Sequence, residues 1–325
     1  MENKKVGVVI IGRNEGDRLI LCLESVLKQQ VPCVYVDSQS SDNSVVEAGQ
    51  RDVTTIVLDK SSPINASRAR NTGFDVLVKE NPGLEYVHFI DADCELDEGW
   101  LTEALTTLEK NPQIVIVSGR LREKHRTESV YMRLCDMDWY VNPGEVARCG
   151  GIFTIRRTVF EELSGFDTSL IAGADPEFCY RIHNKGKKIL SLAAEMGTHD
   201  SAMRHFSQWW NRCVKVGFGY ANGAKWGGWK KQYRSSIIWG AILPFIIILS
   251  VFFVSPYFIA LLGMYALQVA KIYMSKLDIG SDSNYDKYLY AQFCVLAKFP
   301  EARGVIKYLI SAAIGKQQKI IEYKV

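Results

Sequence analysis

Residues 86–95, Tyr-Val-His-Phe-Ile-Asp-Ala-Asp-Cys-Glu (YVHFIDADCE), set a short apolar run directly against two carboxylates. The aromatic and β-branched residues from Tyr86 to Ile90 read as a buried parallel strand. Alternation along an extended backbone then places Asp91 and Asp93 on one side of the chain, with small Ala92 pointing away, so that two negative charges converge. A hard divalent cation such as Mg²⁺ or Mn²⁺ would relieve their repulsion, and such an ion also bridges the oxygens of a nucleoside diphosphate. Ligands of open α/β sheets gather at the carboxyl ends of the strands, where these acids stand. The plainer reading is an acidic cap on the next helix, predicted from about Glu98 to Lys110. The tripeptide alone does not separate the two.

Upstream, the same pattern recurs. Val6 to Ile11 is a strand-length apolar run ending in Gly12-Arg13-Asn14-Glu15, and Asp17 to Gln30 follows with Leu19, Leu23, Val26 and Leu27 at helical spacing. Val34 to Val36 stops at Asp37, and the polar Ser38 to Ser44 can cap a helix from about Val45. Thr55 to Leu58 predicts a third strand and Ile64 to Val78 a third helix. Strands and helices alternating at this spacing imply right-handed crossovers and a doubly wound parallel sheet. The ends of its first, second and fourth strands bring Asn14, Glu15, Asp37 and Asp91 to one crevice. Arg68 and Arg70, in NASRARNTG, open the third helix, where a guanidinium can meet a diphosphate or simply be solvated. Asn65-Ala66-Ser67 matches a glycosylation sequon, which a cytosolic domain would not use.

Beyond the acidic stretch, Ile114 to Leu121 predicts a strand, and the charged REKHRTES (122–129) a mobile segment able to close over a ligand. Gly150-Gly151 precedes another strand, where backbone can approach a substrate. In AGADPEFCYRIHNKG, Asp175 and Glu177 start a helix with Pro176 in its first turn. The helix dipole favours both acids; the chemical alternative is a general base at the mouth of the crevice.

The chain has 325 residues and a formal net charge of +3, room for one large α/β domain and an appendage, without the strong basicity of a dedicated nucleic-acid binder. Its eight cysteines form no CxxC pair and read as reduced cytoplasmic thiols. The apolar run near the start is only strand-length, so no signal peptide is expected. From Ser235 to Ala270 no charged residue occurs, with Lys225, Lys230, Lys231 and Arg234 just before it and Trp209, Trp210, Trp226, Trp229 and Trp239 around its entry. Cations and tryptophans in that order suit a cytoplasmic membrane interface, whereas a buried core hairpin would have no use for them. Ser255-Pro256 divides the run into Ile237–Val254 and Tyr257–Ile272: two short spans, one span or a re-entrant hairpin. Tyr285 to Tyr308 predicts interfacial helices broken at Pro300, or helices packed back on the catalytic part.

Taken in order, VVIIGRNEGDRLILCLESVL, VYVDSQSSDNS, NASRARNTGFD, FIDADCELDEGWL, GGIFTIRR, ELSGFD and ADPEFCYRIHNKG resemble glycosyltransferase family 2, with its GT-A (Rossmann-like) α/β fold, over roughly residues 5 to 200. The resemblance implies a donor site for a nucleotide sugar, by default a UDP-sugar, made of Asn14, Glu15, Asp37 at the nucleobase, Arg68, Arg70, Asp91 and Ala92. It implies Asp91 and Asp93 as holders of Mn²⁺ or Mg²⁺ and diphosphate, with His199 in AEMGTHDSAMRHFSQWWNR as a third ligand. A lone histidine can also serve as a simple hydrogen-bonding group. Alignment on Cys179-Tyr180-Arg181 puts the family's base on Asp175; the acid before it is Ala174 here, which leaves Glu177 a competitor. The second acid of the family's DDGS is also missing. The processive QxxRW signature is absent, which favours single addition, and inversion of the anomeric centre follows from the family alone.

The expected organisation is a catalytic domain at 1–232, a transmembrane or re-entrant hairpin at 233–275 and amphipathic interfacial helices at 276–325. With it go contact with membrane lipid, a place on the cytoplasmic face of the bacterial inner membrane, no nucleic acid, and a lipid-linked saccharide acceptor in surface polysaccharide synthesis. Two rivals stand beside this reading. A polyprenyl-phosphate sugar synthase would need no deprotonating carboxylate, and a degenerate membrane scaffold would bind no nucleoside diphosphate. A nucleotidyltransferase lacks its Gly-rich, Lys-bearing loop.

Overall fold

The computed structural model describes residues 5–226, 228–253 and 257–315. The charged start before Lys5 and the expected Ser255-Pro256 turn lie outside them. Two compact units are present, one of Met1–His125 with Trp139–Ser201, the other of Arg126–Asp138 with Ala202–Val325. Residues 202–232, grouped with the catalytic domain on sequence grounds, thus fall in the second unit.

In chain order the elements run β1 (Val6–Gly12), α1 (Asp17–Leu27), β2 (Cys33–Asp37), α2 (Ser44–Gly49), β3 (Thr54–Val57), α3 (Ala66–Glu80), β4 (Tyr86–Asp91), β5 (Cys94–Leu96), α4 (Trp100–Lys110) and β6 (Ile114–Glu123). Then come α5 (Val130–Asp138), β7 (Gly144–Glu145), β8 (Phe153–Arg156), α6 (Arg157–Glu162), α7 (Ala174–Asn184), β9 (Lys188–His199) and α8 (Phe206–Gly223).

The first unit is a nine-stranded sheet ordered β3-β2-β1-β4-β8-β6-β9-β5, with β7 beside β9. From β3 to β4 every pairing is parallel, as the alternation of strands and helices implies. The other half departs from a doubly wound parallel sheet: β8 runs antiparallel between β4 and β6, β9 returns parallel to β6, and β5 is antiparallel to β9. α5 and β7 lie between β6 and β8 in the chain, and β8 comes back antiparallel to β6.

β1 is buried from Val6 to Ile11 because its sides feed two cores. Val6, Val8 and Ile10 join Leu19, Leu23, Trp100 and Leu101, while Val9 and Ile11 join Ala69, Phe74, Phe153 and Phe178. Continuous apolar strands are what a sheet covered on both faces requires. The cation-rich 122–129 segment is ordered rather than mobile at its start: β6 runs on to Glu123, Arg122 pairs with Glu195 at 2.7 Å and Lys124 with Glu95 at 2.5 Å.

In the second unit, α5 is held by Asp286, which is buried against Arg126 at 2.5 Å and Arg133 at 3.3 Å. After α8, Lys230–Phe252 is one 23-residue helix, long and apolar enough by length and composition to cross a membrane, with only 11% of its most apolar window buried. It comprises α9 (Lys230–Ile237), a wider π turn at Ile238–Ile242 and α10 (Leu243–Phe252). The widening precedes Pro244, which has no N–H to continue the ladder. A second apolar helix, α11 (Tyr257–Tyr273), is followed by α12 (Asn284–Leu296) and α13 (Lys298–Ala313). The break expected at Pro300 falls instead at Ala297, and Pro300 sits in the first turn of α13, where its missing N–H costs nothing.

Candidate active site in the first unit

The register of the parallel strands sets the crevice. Gly12 stands opposite Asp37, and Ile11 opposite Asp91, so the ends of β2, β1 and β4 lie side by side. A Cβ on Gly12 would come within 2.6 Å of the Ala92 Cβ, so small residues are needed at both positions; Ala92 itself is buried beneath the crevice.

β4 ends at Asp91, and Ala92-Asp93 form a turn, so strand alternation does not carry through and the two acids take different partners. Asp91 Oδ1 accepts from Arg70 Nη2 at 2.8 Å. Asp93 is buried, with Oδ2 3.0 Å from His199 Nε2. Register explains that meeting, since Cys94 of β5 pairs with His199 at the end of β9. Among the described residues, ligand atoms of Asp93, Cys94 and His199 lie within 4.8 Å of one another, and Asp91 is not in that cluster. The Trp139 ring stands edge-on to the imidazole at 4.1 Å between centroids.

Arg70 is the hub of the second cluster. Its side chain is 5% exposed; Nη2 reaches Asp91, and Nη1 donates to Asp175 Oδ1 at 3.3 Å. Burial works against the guanidinium charge, but Asp91 and Asp175 more than offset it and raise its pKa. A Cβ on Gly151 would overlap Arg70 Nη2, so the second glycine of the pair makes room for a protein cation. The helix carrying Arg70 is pinned by its own motif. Asn65 caps α3, accepting from Arg68 N at 2.9 Å, and donates to Thr168 O at 2.7 Å; Asn71 donates to Phe166 O and accepts from Phe166 N. The Gly165-Phe166-Asp167 turn is thereby fastened to α3, and Asn65 is buried, which suits an unmodified sequon.

The remaining expected residues are placed as follows. Arg68 turns to Asp59 at 2.9 Å and to the Asp59 and Ser62 carbonyls, bracing the 59–62 loop. Asp175 lies in the first turn of α7 and joins Arg70, whereas Glu177 is bound in a two-pronged pair by Arg181 at 2.8 and 2.9 Å. Arg181 also donates to the Leu163 and Gly165 carbonyls, so this pair braces a turn. Asp37 is fully buried, accepting from Ser40 N at 2.8 Å and Tyr35 OH at 3.3 Å. Burial pushes the Tyr35 phenol far up, with Asp37 adding to the effect. Asn14, in a left-handed conformation, accepts from Ser41 N at 2.7 Å, and Asp42 accepts from Gly16 N at 3.1 Å, lacing the loops after β1 and β2 together. Glu15 pairs with Arg18 at 2.8 Å.

Sequence reasoning did not single out Trp139, Cys94, Glu123 or Asp42. Trp139 and Glu123 reach the site through β-sheet register or long-range folding, which leaves no local pattern; Cys94 had a signal, as the neighbour of Asp93, and so had Asp42, as the acid beside a predicted helix start.

A parallel β3-β2-β1-β4 half continued by antiparallel strands, with acids and arginine gathered where β4 ends, is the GT-A architecture of nucleotide-sugar transferases. The family model described as glycosyl transferase family 2 matches residues 7–164. The chain therefore carries a family 2 domain and is a glycosyltransferase. It is similar in structure to the mannosyltransferase PcManGT from Pyrobaculum calidifontis in complex with GDP-Man and Mn²⁺, with TM-score 0.55 and 18% identity, covering 95% of this chain and 86% of that one. Glucosyl-3-phosphoglycerate synthase from Mycobacterium tuberculosis, in complex with Mn²⁺ and UDP-glucose, matches with TM-score 0.47 and 15% identity, over 66% of this chain and 77% of that one. At these identities the likeness concerns the fold. No curated protein shows significant similarity.

Proposed function

We propose that the protein is an inverting, divalent-metal-dependent transferase that moves one sugar from a nucleotide-sugar donor to a lipid-linked saccharide acceptor in surface polysaccharide assembly. The observation that carries this reading is Arg70, one buried guanidinium that holds an acid at the end of β4 and an acid at the start of α7 together. A donor-side group and a base are thereby kept in fixed relation, as a single displacement requires.

The donor set fits a metal: Asp93 offers oxygen and His199 nitrogen from a largely buried position. Cys94 Sγ instead donates to Asp93 Oδ1 at 3.4 Å, and a thiol suits Mn²⁺ or Mg²⁺ poorly. We assign Asp93 and His199 as protein ligands; the imidazole favours Mn²⁺ over Mg²⁺. When bound, the cation offsets charge growing on the leaving diphosphate. Arg70, with Asp91, faces the same group from the protein side. Asp175 accepts the proton of the attacking acceptor hydroxyl; Glu177, clamped by Arg181, is assigned a structural role. Asp37, with Asn14 and the Ser40-Ser41 loop, shapes the wall against which the base rests.

The second unit supports attachment to a membrane. Phe245, Ile248, Val251 and Phe252 on Lys230–Phe252 are exposed, and Lys230, Lys231 and Arg234 stand at its start. The α13 helix adds exposed Ile306, Leu309 and Ile310, with exposed Ile314 just past its end. Helices of this kind suit the cytoplasmic face of a bacterial inner membrane and an acceptor carried on lipid.

The test is a panel of uridine and guanosine nucleotide sugars, since the mannosyltransferase of similar fold was seen with GDP-Man. Metal-dependent hydrolysis or thermal stabilisation by one donor supports the reading, and a flat response to all of them refutes it. Transfer that survives in the Asp175→Asn variant would favour a lipid-phosphate acceptor. Recovery of the Ile248→Lys, Phe252→Lys double variant in the soluble fraction, with wild type in the membrane fraction, supports the localisation.

A further inference from the structure

Glu123 is a carboxylate at the inner end of β6 that the proposed reaction does not use, and its side chain is 0% exposed. Burial of a carboxylate is costly unless its oxygens are engaged. Among its partners, Oε1 accepts from His125 N and Oε2 from Ser201 N, both at 3.3 Å. The His199 imidazole stands beside it, with Nδ1 4.0 Å from Glu123 Oε2.

Strand register produces this neighbourhood. His199 ends β9 and is paired on one side with Cys94 of β5 and on the other with Glu123 of β6. The imidazole therefore lies between two acids, Nε2 toward Asp93 at 3.0 Å and Nδ1 toward Glu123. Lys124 N donates to the His199 carbonyl at 2.9 Å, fixing the backbone, and Trp139 stands edge-on to the ring.

We propose that Glu123 is a positioning residue for the metal site, holding His199 in the tautomer that ligates. This rests on the assignment of His199 as a ligand. A neutral imidazole carries one proton, and with Nε2 offering its lone pair to a cation shared with Asp93 that proton is on Nδ1. Nδ1–H then needs an acceptor, and Glu123 Oε2 is the carboxylate on that side; a slight turn of the ring or one bridging water closes the 4.0 Å gap. His199 Nε2 and Asp93 Oδ2 are 3.0 Å apart, close enough for the two to share a cation. Glu123 thus favours the loaded tautomer, a role that buried carboxylates fill beside metal-bound histidines and whose loss typically costs about 10 to 100-fold in metal affinity.

The experiment is Mn²⁺ titration of the full chain in detergent micelles, with free ion read by electron paramagnetic resonance and nitrogen ligation of the bound ion by its ¹⁴N modulation. Wild type, His199→Ala and Glu123→Gln are compared. His199→Ala should weaken Mn²⁺ binding and abolish the histidine modulation. Glu123→Gln should retain the modulation yet bind Mn²⁺ about tenfold more weakly. If His199→Ala changes neither quantity, the ligand assignment itself fails. If His199→Ala weakens binding while Glu123→Gln matches wild type, the ligand assignment stands and the role of Glu123 is overturned. A readout independent of any variant's folding is the ¹⁵N spectrum of histidine-labelled wild type at a Mg²⁺ concentration shown to displace Mn²⁺: a His199 proton on Nδ1 supports the proposal, and one on Nε2 overturns it.

Discussion

Arg70 Nη2 lies 2.8 Å from Asp91 Oδ1, and the guanidinium beneath that contact is almost wholly buried. The first acid of the DAD tripeptide is therefore balanced by a protein cation, while the second is turned to His199. Since Nη1 also reaches Asp175, two acids share one buried positive charge.

Sharing of that kind predicts a non-additive response. Asp91 and Asp175 are about a third exposed, so either Asn variant leaves Arg70 one counter-charge and should cost about 1 kcal/mol or less. The double variant strands the guanidinium and should cost about 3 kcal/mol or more, well beyond the sum. Denaturant unfolding of the three variants checks this. Either single change should lower transfer by about a hundredfold or more while the domain stays folded, and near-normal turnover would remove that residue from its role.

Gly151 has no side chain because Arg70 occupies the space a Cβ would fill. Gly151→Ala should push the guanidinium off Asp91 and Asp175 and lower turnover at least about tenfold. Its stability should fall by about as much as in the double Asn variant, roughly 3 kcal/mol. Wild-type kinetics in a folded Gly151→Ala protein would show that the exact seat of Arg70 does not matter.

Asp175 and Glu177 are two residues apart on α7, and the contacts divide them. Glu177→Gln should keep turnover within about twofold and lose roughly 0.5 kcal/mol with its (i, i+4) pair. Asp175→Asn should lower transfer by about a hundredfold or more. Parallel rate measurements would expose a reversal of these roles.

His88 is fully buried on β4 beside Thr154 and Trp100, and burial pushes its pKa down to about 3. It is neutral in the folded chain, while the unfolded chain takes up a proton below about pH 6.5. Between those values the unfolded state binds more protons, so stability rises with pH and is lost on acidification, by on the order of 1 kcal/mol per pH unit. Unfolding free energies from pH 6.5 to 4.5 should show a shallower slope for His88→Gln than for wild type; equal slopes would refute the assignment.

How much of this was legible in the sequence depends on the range of the interaction. The parallel half of the sheet is written locally, in apolar runs such as Val6–Gly12 and Tyr86–Asp91 with helical spacing between them. The antiparallel β8 is not, because its partners β4 and β6 are distant in the chain. Arg68 and Arg70 looked equivalent as letters. On a helix, residues two apart face nearly opposite ways, so only Arg70 turns to the site while Arg68 braces a loop. The same geometry separates Asp175 from Glu177. Asp93 and His199 were both marked, but their meeting and the presence of Glu123 and Trp139 around them are consequences of β5, β6 and β9 lying adjacent.

The place where a cation binds decides between these roles. Anomalous diffraction at the manganese edge, from crystals of the full chain grown with Mn²⁺ and a nucleoside diphosphate, locates that ion directly. A peak in contact with Asp93 and His199 is expected; a bound nucleotide with no manganese there, or with the ion held elsewhere, would contradict the assignment of these two residues as its ligands.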